Sequence, residues 1–327
     1  MIPPESLAPE AAASLRNRSC LVLGGGGFLG THLCNALAAL GARVHAFGRS
    51  RTEAAVIDRR VHWTAGEFND IAALAKVIEG QETVFHLISA SVPESSNRDP
   101  AADLSANTIG TLHLLELLRS GGVQKLIFTS SGGTVYGVPE HIPIKETAAT
   151  DPISAYGISK LATEKYLALY HRLHGLDYRI LRVSNPYGRY QAVHRRQGVV
   201  GALLHRAVTG EPLEIWGTGD VTRDFIHVED VVAAMLSAHA YQGSHRLFNV
   251  GSGHGMSIRE VADSVERALG RGPLERNYMR TRAADVPVNI LDTSLIQRET
   301  GWRPRVDWEE GLADTLSWVS AQVESAK

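Results

Sequence analysis

Ser19-Cys-Leu-Val-Leu23 runs straight into Gly24-Gly-Gly-Gly-Phe-Leu-Gly30, and a helical pattern follows from Thr31 to Leu40. An apolar run closed by glycines and followed by a helical stretch reads as a buried strand, a tight turn and a helix, the opening of a dinucleotide-binding βα unit. Glycines let the backbone approach a pyrophosphate, and the helix N-terminus turns unpaired N–H groups toward that charge. Four consecutive glycines leave two registers open, Gly24-Gly27-Gly30 or Gly25-Gly27-Gly30.

The alternation continues. Strand candidates are Cys20–Leu23, Val44–Phe47, Val61–Thr64, Val84–Leu87, Leu126–Thr129 and Tyr178–Val183, separated by helical stretches such as Asp103–Leu118 and Ala155–His174. Strands alternating with helices predict an α/β fold, a doubly wound Rossmann-type parallel sheet covered on both faces. Residues 1–18 read as a flexible leader and 19–183 as the dinucleotide-binding domain. Residues 184–327 read mainly as a smaller C-terminal α/β substrate-binding lobe, with some segments packing back on the first domain. There, Gly198–Thr209 and Glu229–Tyr241 read as helices, and Leu213–Trp216, Asp224–Val228 and Val288–Leu291 as short extended segments.

A second feature carries chemistry. Tyr156-Gly-Ile-Ser-Lys160 places a phenol and an ammonium four residues apart, on one face of a helix. A free phenol titrates near pH ~10, and a neighbouring ammonium together with an oxidised nicotinamide is expected to favour the phenolate. Tyr156 then becomes an acid/base catalyst.

Composition sets the bounds. With 327 residues, 44% hydrophobic, the chain can bury a large core, and its net charge of −2 carries no nucleic-acid-binding signature. The two cysteines, Cys20 and Cys34, fall in the first strand and first helix and read as small buried apolar residues, with no metal site. The acidic, proline-bearing N-terminus lacks the features of a secretory signal, and no segment approaches membrane-spanning length, so a cytoplasmic protein is expected.

Taken together with later blocks, these motifs resemble the extended short-chain dehydrogenase/reductase family and, within it, the nucleotide-sugar epimerases and dehydratases. The blocks are His86-Leu-Ile-Ser89, Asn107-Thr-Ile-Gly-Thr111, Phe128-Thr-Ser-Ser-Gly-Gly-Thr-Val-Tyr-Gly137, Leu181-Arg-Val-Ser-Asn-Pro-Tyr-Gly188, Arg223-Asp-Phe-Ile-His-Val-Glu-Asp230, Phe248-Asn-Val-Gly251 and Arg282-Ala-Ala-Asp285. The resemblance implies an NAD(P) cofactor held by Gly24, Gly27, Phe28, Leu29 and Gly30, by Glu67 and Phe68 at the adenine edge, and by Leu87, Ser89, Asn107, Tyr156 and Lys160. It implies a nucleotide-diphosphate sugar held by Ser91, Thr134, Asn185, Trp216, Arg223, Arg282 and Asp285. It also implies a homodimer through a four-helix interface formed by Asp103–Leu118 and Ala155–His174 of each subunit, with Leu112, Leu115, Leu161 and Leu169 facing either that interface or the monomer's own core.

Two departures from the family pattern matter. At the tip of the second strand, where NAD-using relatives place an Asp for the ribose 2′-hydroxyl, this chain has Gly48 followed by Arg49 and Arg51. NADP(H) is therefore favoured, with Arg49 on the 2′-phosphate, although NAD also fits. The catalytic hydroxyl expected four residues before Tyr136 is replaced by Gly132. If the segment stays extended, Ser130, Gly132 and Thr134 share a side, which makes Thr134 the leading substitute; Ser131 follows if the glycines twist the chain.

Other residues have ordinary readings beside the functional one. Arg223 next to Asp224 also fits a surface ion pair, Asn185 before Pro186 a turn, Arg282 with Asp285 a local pair, and Trp216 a core filler. His227 reads as structural and His194-Arg-Arg196 as a solvated loop. Three functions stay open: a UDP-hexose 4-epimerase, which the absence of an acidic pair at Gly132-Gly133-Thr134 favours over a dehydratase; an NADPH-dependent ketoreductase of nucleotide-linked 4-keto-6-deoxysugars, which Gly48 and Arg49 favour; and a non-catalytic dinucleotide sensor.

Overall fold

The computed structural model describes residues 9–50, 56–91, 93–191, 198–281 and 286–325. Seven strands form one parallel sheet: β1 (Ser19–Leu23), β2 (Arg43–Gly48), β3 (His62–Ala65), β4 (Thr83–His86), β5 (Lys125–Ser131), β6 (Asp177–Val183) and β10 (Leu247–Val250). Their order is β10-β6-β5-β4-β1-β2-β3. The chain winds outward from β1 to β3, then returns to β4 on the other side of β1. That reversal opens a crevice at the carboxyl ends of β1 and β4, where ligands of doubly wound sheets bind.

Alternation along each strand explains why the sheet is covered on both faces. In β1, Cys20 and Val22 pack on one side with Leu33 and Leu37 of α2 (Phe28–Ala39) and Val231 and Met235 of α9 (Val228–Ala240). Leu21 and Leu23 pack on the other with Leu74 of α3 (Ile71–Ile78), Leu114 and Leu118 of α6 (Gly110–Ser120) and Leu167 of α7 (Ala155–His174). A strand buried on both sides is apolar throughout, which is why these runs stand out in the sequence.

Between β4 and α6 the expected single helix over Asp103–Leu118 is broken. The short α4 (Pro93–Ser96) and α5 (Pro100–Leu104) precede a π-helical turn, Ser105–Ile109, before α6 begins. Such widened turns accompany functional sites.

The remaining elements build a smaller lobe. The strands β7 (Asn185–Tyr187), β9 (Thr222–His227), β11 (Gly255–Ser257) and β13 (Val288–Asn289) form one sheet, and β8 (Leu213–Trp216) pairs with β12 (Arg276–Met279). Helices α8 (Val199–Thr209), α10 (Ile258–Leu269) and α12 (Trp308–Ser325) enclose its own core of Leu203, Leu204, Ile215, Val261, Val265 and Leu312. Two further helices, α1 (Pro9–Leu15) and α11 (Ser294–Thr300), complete the described chain. Both cysteines are free and buried. Among the described residues no helix is long and apolar enough to cross a membrane, and no cluster suits a metal ion.

Candidate active site

The glycine loop settles its own register. Gly24 has φ 86°, a conformation that favours glycine, and its N–H bonds Phe47 O at 2.8 Å. Gly27 caps α2 with no side-chain bond, so the first-turn N–H groups are left to a ligand. A Cβ on Gly30 would lie 2.1 Å from Gly24 O, so helix and loop touch backbone to backbone. Gly24, Gly27 and Gly30 thus carry the turn, the ligand face and the close approach. Gly25 packs inward, where a Cβ would meet that of Ala46 at 2.6 Å. These residues fit a dinucleotide pyrophosphate.

Next to the loop, Gly48 ends β2, and a Cβ there would meet only Trp63 at 3.6 Å and Gly24 at 3.9 Å. Arg49 is exposed beyond it, and Arg51 lies outside the described residues. Glu67 is exposed, whereas Phe68 is buried against the His86 ring, with centroids 5.1 Å apart. Leu87 is half-buried and continues the β4 edge, its N–H on Leu23 O.

Helix α7 delivers the phenol and the ammonium. Its N-terminus is fixed by three side chains: Ser154 accepts from Gly157 N at 3.2 Å, Ser96 from Tyr156 N at 3.0 Å and Asn97 from Ala155 N at 2.9 Å. Gly157 sits against the turn after β5, where a Cβ would come within 2.8 Å of Thr134 O. Tyr156 is half-buried. Lys160 is buried, donates to Thr129 O at 2.9 Å, and holds its ammonium 4.9 Å from the Phe128 ring and 5.7 Å from the Tyr156 ring.

The protein's own groups set the starting point of this chemistry. Burial pushes the Tyr156 phenol up to about 12, with the Asp103 carboxylate adding to the rise. Burial also pulls Lys160 down to about 8 against the pull of Asp103 and Glu164. The Lys160 ammonium donates to the Thr129 carbonyl, and the buried Tyr156 phenol keeps its proton at neutral pH in the protein alone.

The turn after β5 corrects the assumption of an extended segment. The strand ends at Ser131, and the N–H groups of Thr134 and Val135 both return to Ser131 O. Ser130 therefore points away from the cleft: it donates to Glu164 at 2.5 Å, within a buried pair in which Arg182 Nη2 meets Glu164 Oε2 at 2.6 Å. Gly132 is packed tight, since a Cβ would stand 2.5 Å from Leu291 and 3.0 Å from Arg182 O. Thr134 Oγ1 is buried without a hydrogen-bond partner, and Ser131 Oγ and Asn185 Oδ1 each lie 4.0 Å from where a Gly133 Cβ would sit. Ser131 and Asn185 thus border the space over Gly133.

In the smaller lobe, Asn185 belongs to β7 and donates to Asp224 O at 3.1 Å. Arg223 does not pair with its neighbour: it donates to Thr222 O and Val286 O, while the buried Asp224 accepts from Ser252, Gly253 and Leu291 N–H groups. Trp216 is 36% exposed and so is not a core filler, and it stands beside the exposed Tyr278 and Met279 of β12. His227 caps α9, as a structural histidine would. Arg282, Asp285 and His194–Arg196 lie outside the described residues.

Two site features escaped the sequence reading. Asp103, 3% exposed, accepts from Ser91 Oγ, from Asn107 Nδ2 at 3.0 Å and from Ser159 Oγ at 2.5 Å. Asn107 also accepts from Ala90 N at 2.9 Å, so its amide braces the loop that carries Ser89 and Ser91. The Glu164–Arg182 pair is the other. Spacing held both signals, since Asp103 precedes Asn107 by one turn and Glu164 follows Lys160 by one.

The NAD dependent epimerase/dehydratase family matches residues 20–251. The chain belongs to this family. It is similar to the UDP-glucose 4-epimerase of Thermotoga maritima, solved with UDP-glucose, at 34% identity and TM-score 0.87, covering 93% of this chain and 99% of that one. The Thermus thermophilus UDP-glucose 4-epimerase, solved with NAD, is 32% identical at TM-score 0.84, covering 92% and 98%. A dTDP-4-dehydro-6-deoxyglucose reductase from Escherichia coli is 29% identical, covering 91% of this chain and 96% of its own length. The chain is thus an NAD(P)-dependent nucleotide-sugar enzyme of the extended short-chain dehydrogenase/reductase type.

Proposed function

We propose that this enzyme is a nucleotide-sugar 4-epimerase of the UDP-hexose class, working through a transient 4-keto sugar. The carrying observation is the junction of Gly157 with Thr134. It seats the first turn of α7, which carries Tyr156, on the turn that holds the unpartnered Thr134 hydroxyl and has no carboxylate for dehydration. When bound, a nicotinamide dinucleotide supplies a reversible hydride acceptor. With oxidised cofactor bound, its positive charge would favour the phenolate, and Tyr156 in that form takes the proton from the sugar 4-hydroxyl and returns it after the ketone has presented its other face. Thr134, with Ser131 next to it, orients that oxygen. Lys160 holds the cofactor ribose and favours the anionic phenol when its proton has left. Asn185, Arg223 and Trp216 serve the diphosphate and the base.

We read residues 19–183 as the cofactor domain and most of 184–327 as the substrate lobe. Exposed Arg49 beside Gly48 supports NADP(H) as the preferred cofactor. The same pair supports the second reading, a 4-ketoreductase, whose substrate arrives already as the ketone. Retention decides between them. An epimerase purifies with its dinucleotide and interconverts UDP-hexoses with none added, whereas a reductase consumes reduced cofactor in proportion to product.

Ile158, Tyr166, Leu169 and Leu173 leave an exposed apolar stripe along α7, with Leu104 and Ile109 exposed on the neighbouring segment. Leu115 is fully buried and Leu112 and Leu161 pack inward, so of the four leucines considered from sequence only Leu169 faces outward. A homodimer through these helices would cover the stripe. Light scattering at micromolar concentration tests it, and a monomeric mass contradicts it.

A further inference from the structure

The turn after β5 is held by a side chain that arrives from the smaller lobe. Both backbone polar groups of Gly132 are taken: its N–H bonds Val183 O of β6 at 2.8 Å, and its carbonyl accepts from Asn289 Nδ2 of β13 at 3.1 Å. Asn289 is fully buried, yet its Oδ1 has no hydrogen-bond partner. A half-satisfied amide in a closed interior costs stability that an apolar side chain of the same shape would not. Stability therefore does not account for this amide; what its donor holds is the turn that carries Ser131 and Thr134.

Two residues on, Leu291 meets the same glycine. A Cβ at position 132 would stand 2.5 Å from Leu291 Cδ1, so the space a side chain would need there is already filled. Leu291 is itself fixed. Its N–H bonds Asp224 Oδ2 at 3.2 Å, and the flanking backbone is laced to Ile144, whose N–H donates to Ile290 O at 2.8 Å and whose carbonyl accepts from Asp292 N at 2.8 Å. Leu291 also packs in one cluster with Val135 and Tyr136, the residues that follow Thr134. The segment from Asn289 to Asp292 thus sets the turn by a hydrogen bond and by a steric stop.

Resting on the reading above that this turn orients the sugar oxygen, we propose that Asn289 and Leu291 are positioning residues, smaller-lobe groups that set the turn from Ser131 to Thr134 and so aim its hydroxyls in the reaction. Gly132 is the counterpart of Leu291, small because the leucine occupies its place. A displacement of about 1 Å in such a turn costs up to about a hundredfold in rate.

Asn289→Ala removes the donor. In the folded variant carrying its dinucleotide, kcat should fall about tenfold while KM for the UDP-hexose and the cofactor content hold; a role in stability alone would lower the melting temperature and leave kcat unchanged. Gly132→Ala should also lower kcat about tenfold, and adding Leu291→Val, which removes about the volume that the new methyl brings, should recover about threefold. A readout free of turnover is the Gly132 carbonyl carbon-13 resonance, found in glycine-labelled protein by its correlation with the Gly133 nitrogen and identified by its loss in Gly132→Ala. It should move upfield in Asn289→Ala, as a carbonyl does on losing a donor. Wild-type kcat or an unmoved resonance in folded Asn289→Ala, or no recovery in the double variant, overturns the proposal. If Asn289→Ala does not fold, Gly132→Ala with and without Leu291→Val decides alone. Failure to convert any UDP-hexose would sink the epimerase reading, and the carbonyl resonance would still decide this one.

Discussion

Gly157 and Thr134 meet so closely that a Cβ on the glycine would stand 2.8 Å from the threonine carbonyl oxygen. The first turn of α7, which carries Tyr156, is thereby seated on the turn after β5 that carries Thr134. Gly157→Ala should push these apart, lowering kcat at least tenfold and reducing thermal stability together. Tyr156→Phe should lower kcat by roughly a hundred- to ten-thousand-fold with stability and cofactor content retained. Steady-state rates beside melting curves check both, and an active Tyr156→Phe would refute the mechanism.

The pair beneath α7 governs stability. Glu164 and Arg182 have side chains only 3% and 4% exposed, with the guanidinium 4.7 Å from the Tyr136 ring, whose hydroxyl donates to Asn249 at 2.7 Å. Glu164→Gln leaves a buried cation uncompensated and should cost about 3–5 kcal/mol. Urea denaturation measures this, and a loss below about 1 kcal/mol would show that the pair contributes little.

Two buried histidines make the fold acid-sensitive. Burial lowers His86 from 6.5 to about 3 and His239 from 6.5 to about 4, so both stay neutral in the native state while the unfolded chain protonates them. The unfolded state therefore binds more protons below pH 6.5, and stability falls as pH drops from there toward about 4, by roughly 1.4 kcal/mol per unit for each group. Denaturation midpoints at neutral and mildly acidic pH test the slope. Replacing His239 by Gln should flatten it.

Cofactor choice follows from the tip of β2. If Arg49 meets a 2′-phosphate, Arg49→Ala should weaken NADP(H) relative to NAD(H) by about 1.5–3 kcal/mol, ten- to a hundred-fold. Gly48→Asp, for whose Cβ there is room, should shift the preference toward NAD. Titrations with both dinucleotides decide, and an unchanged NADP(H) affinity in Arg49→Ala would rule out the contact.

Much of this architecture was legible because buried parallel strands are apolar on both faces, so β1, β4, β5 and β6 announce themselves. The Tyr156 and Lys160 spacing was equally plain, being a matter of one helical turn. What stayed hidden depends on turns and distant partners. The bend at Gly132-Gly133 redirects Ser130 to Glu164, and only the approach of Leu291 explains why a glycine stands there. Asp103 looks like an ordinary helical acid until the π-helical turn brings Asn107 onto it. Burial likewise raises the phenol in the protein alone, an effect the sequence hides because neighbours along a helix do not reveal desolvation.

The central claim is reversible inversion at C4 of a UDP-hexose. The most direct measurement is to incubate the purified enzyme with UDP-glucose and, separately, with UDP-galactose, adding no dinucleotide, and to follow both sugars by proton NMR. The account predicts that the two reactions converge on one mixture with no net change in reduced nicotinamide. Failure of either to convert, with stoichiometric oxidation of NADPH on a nucleotide-linked 4-keto sugar instead, would contradict it.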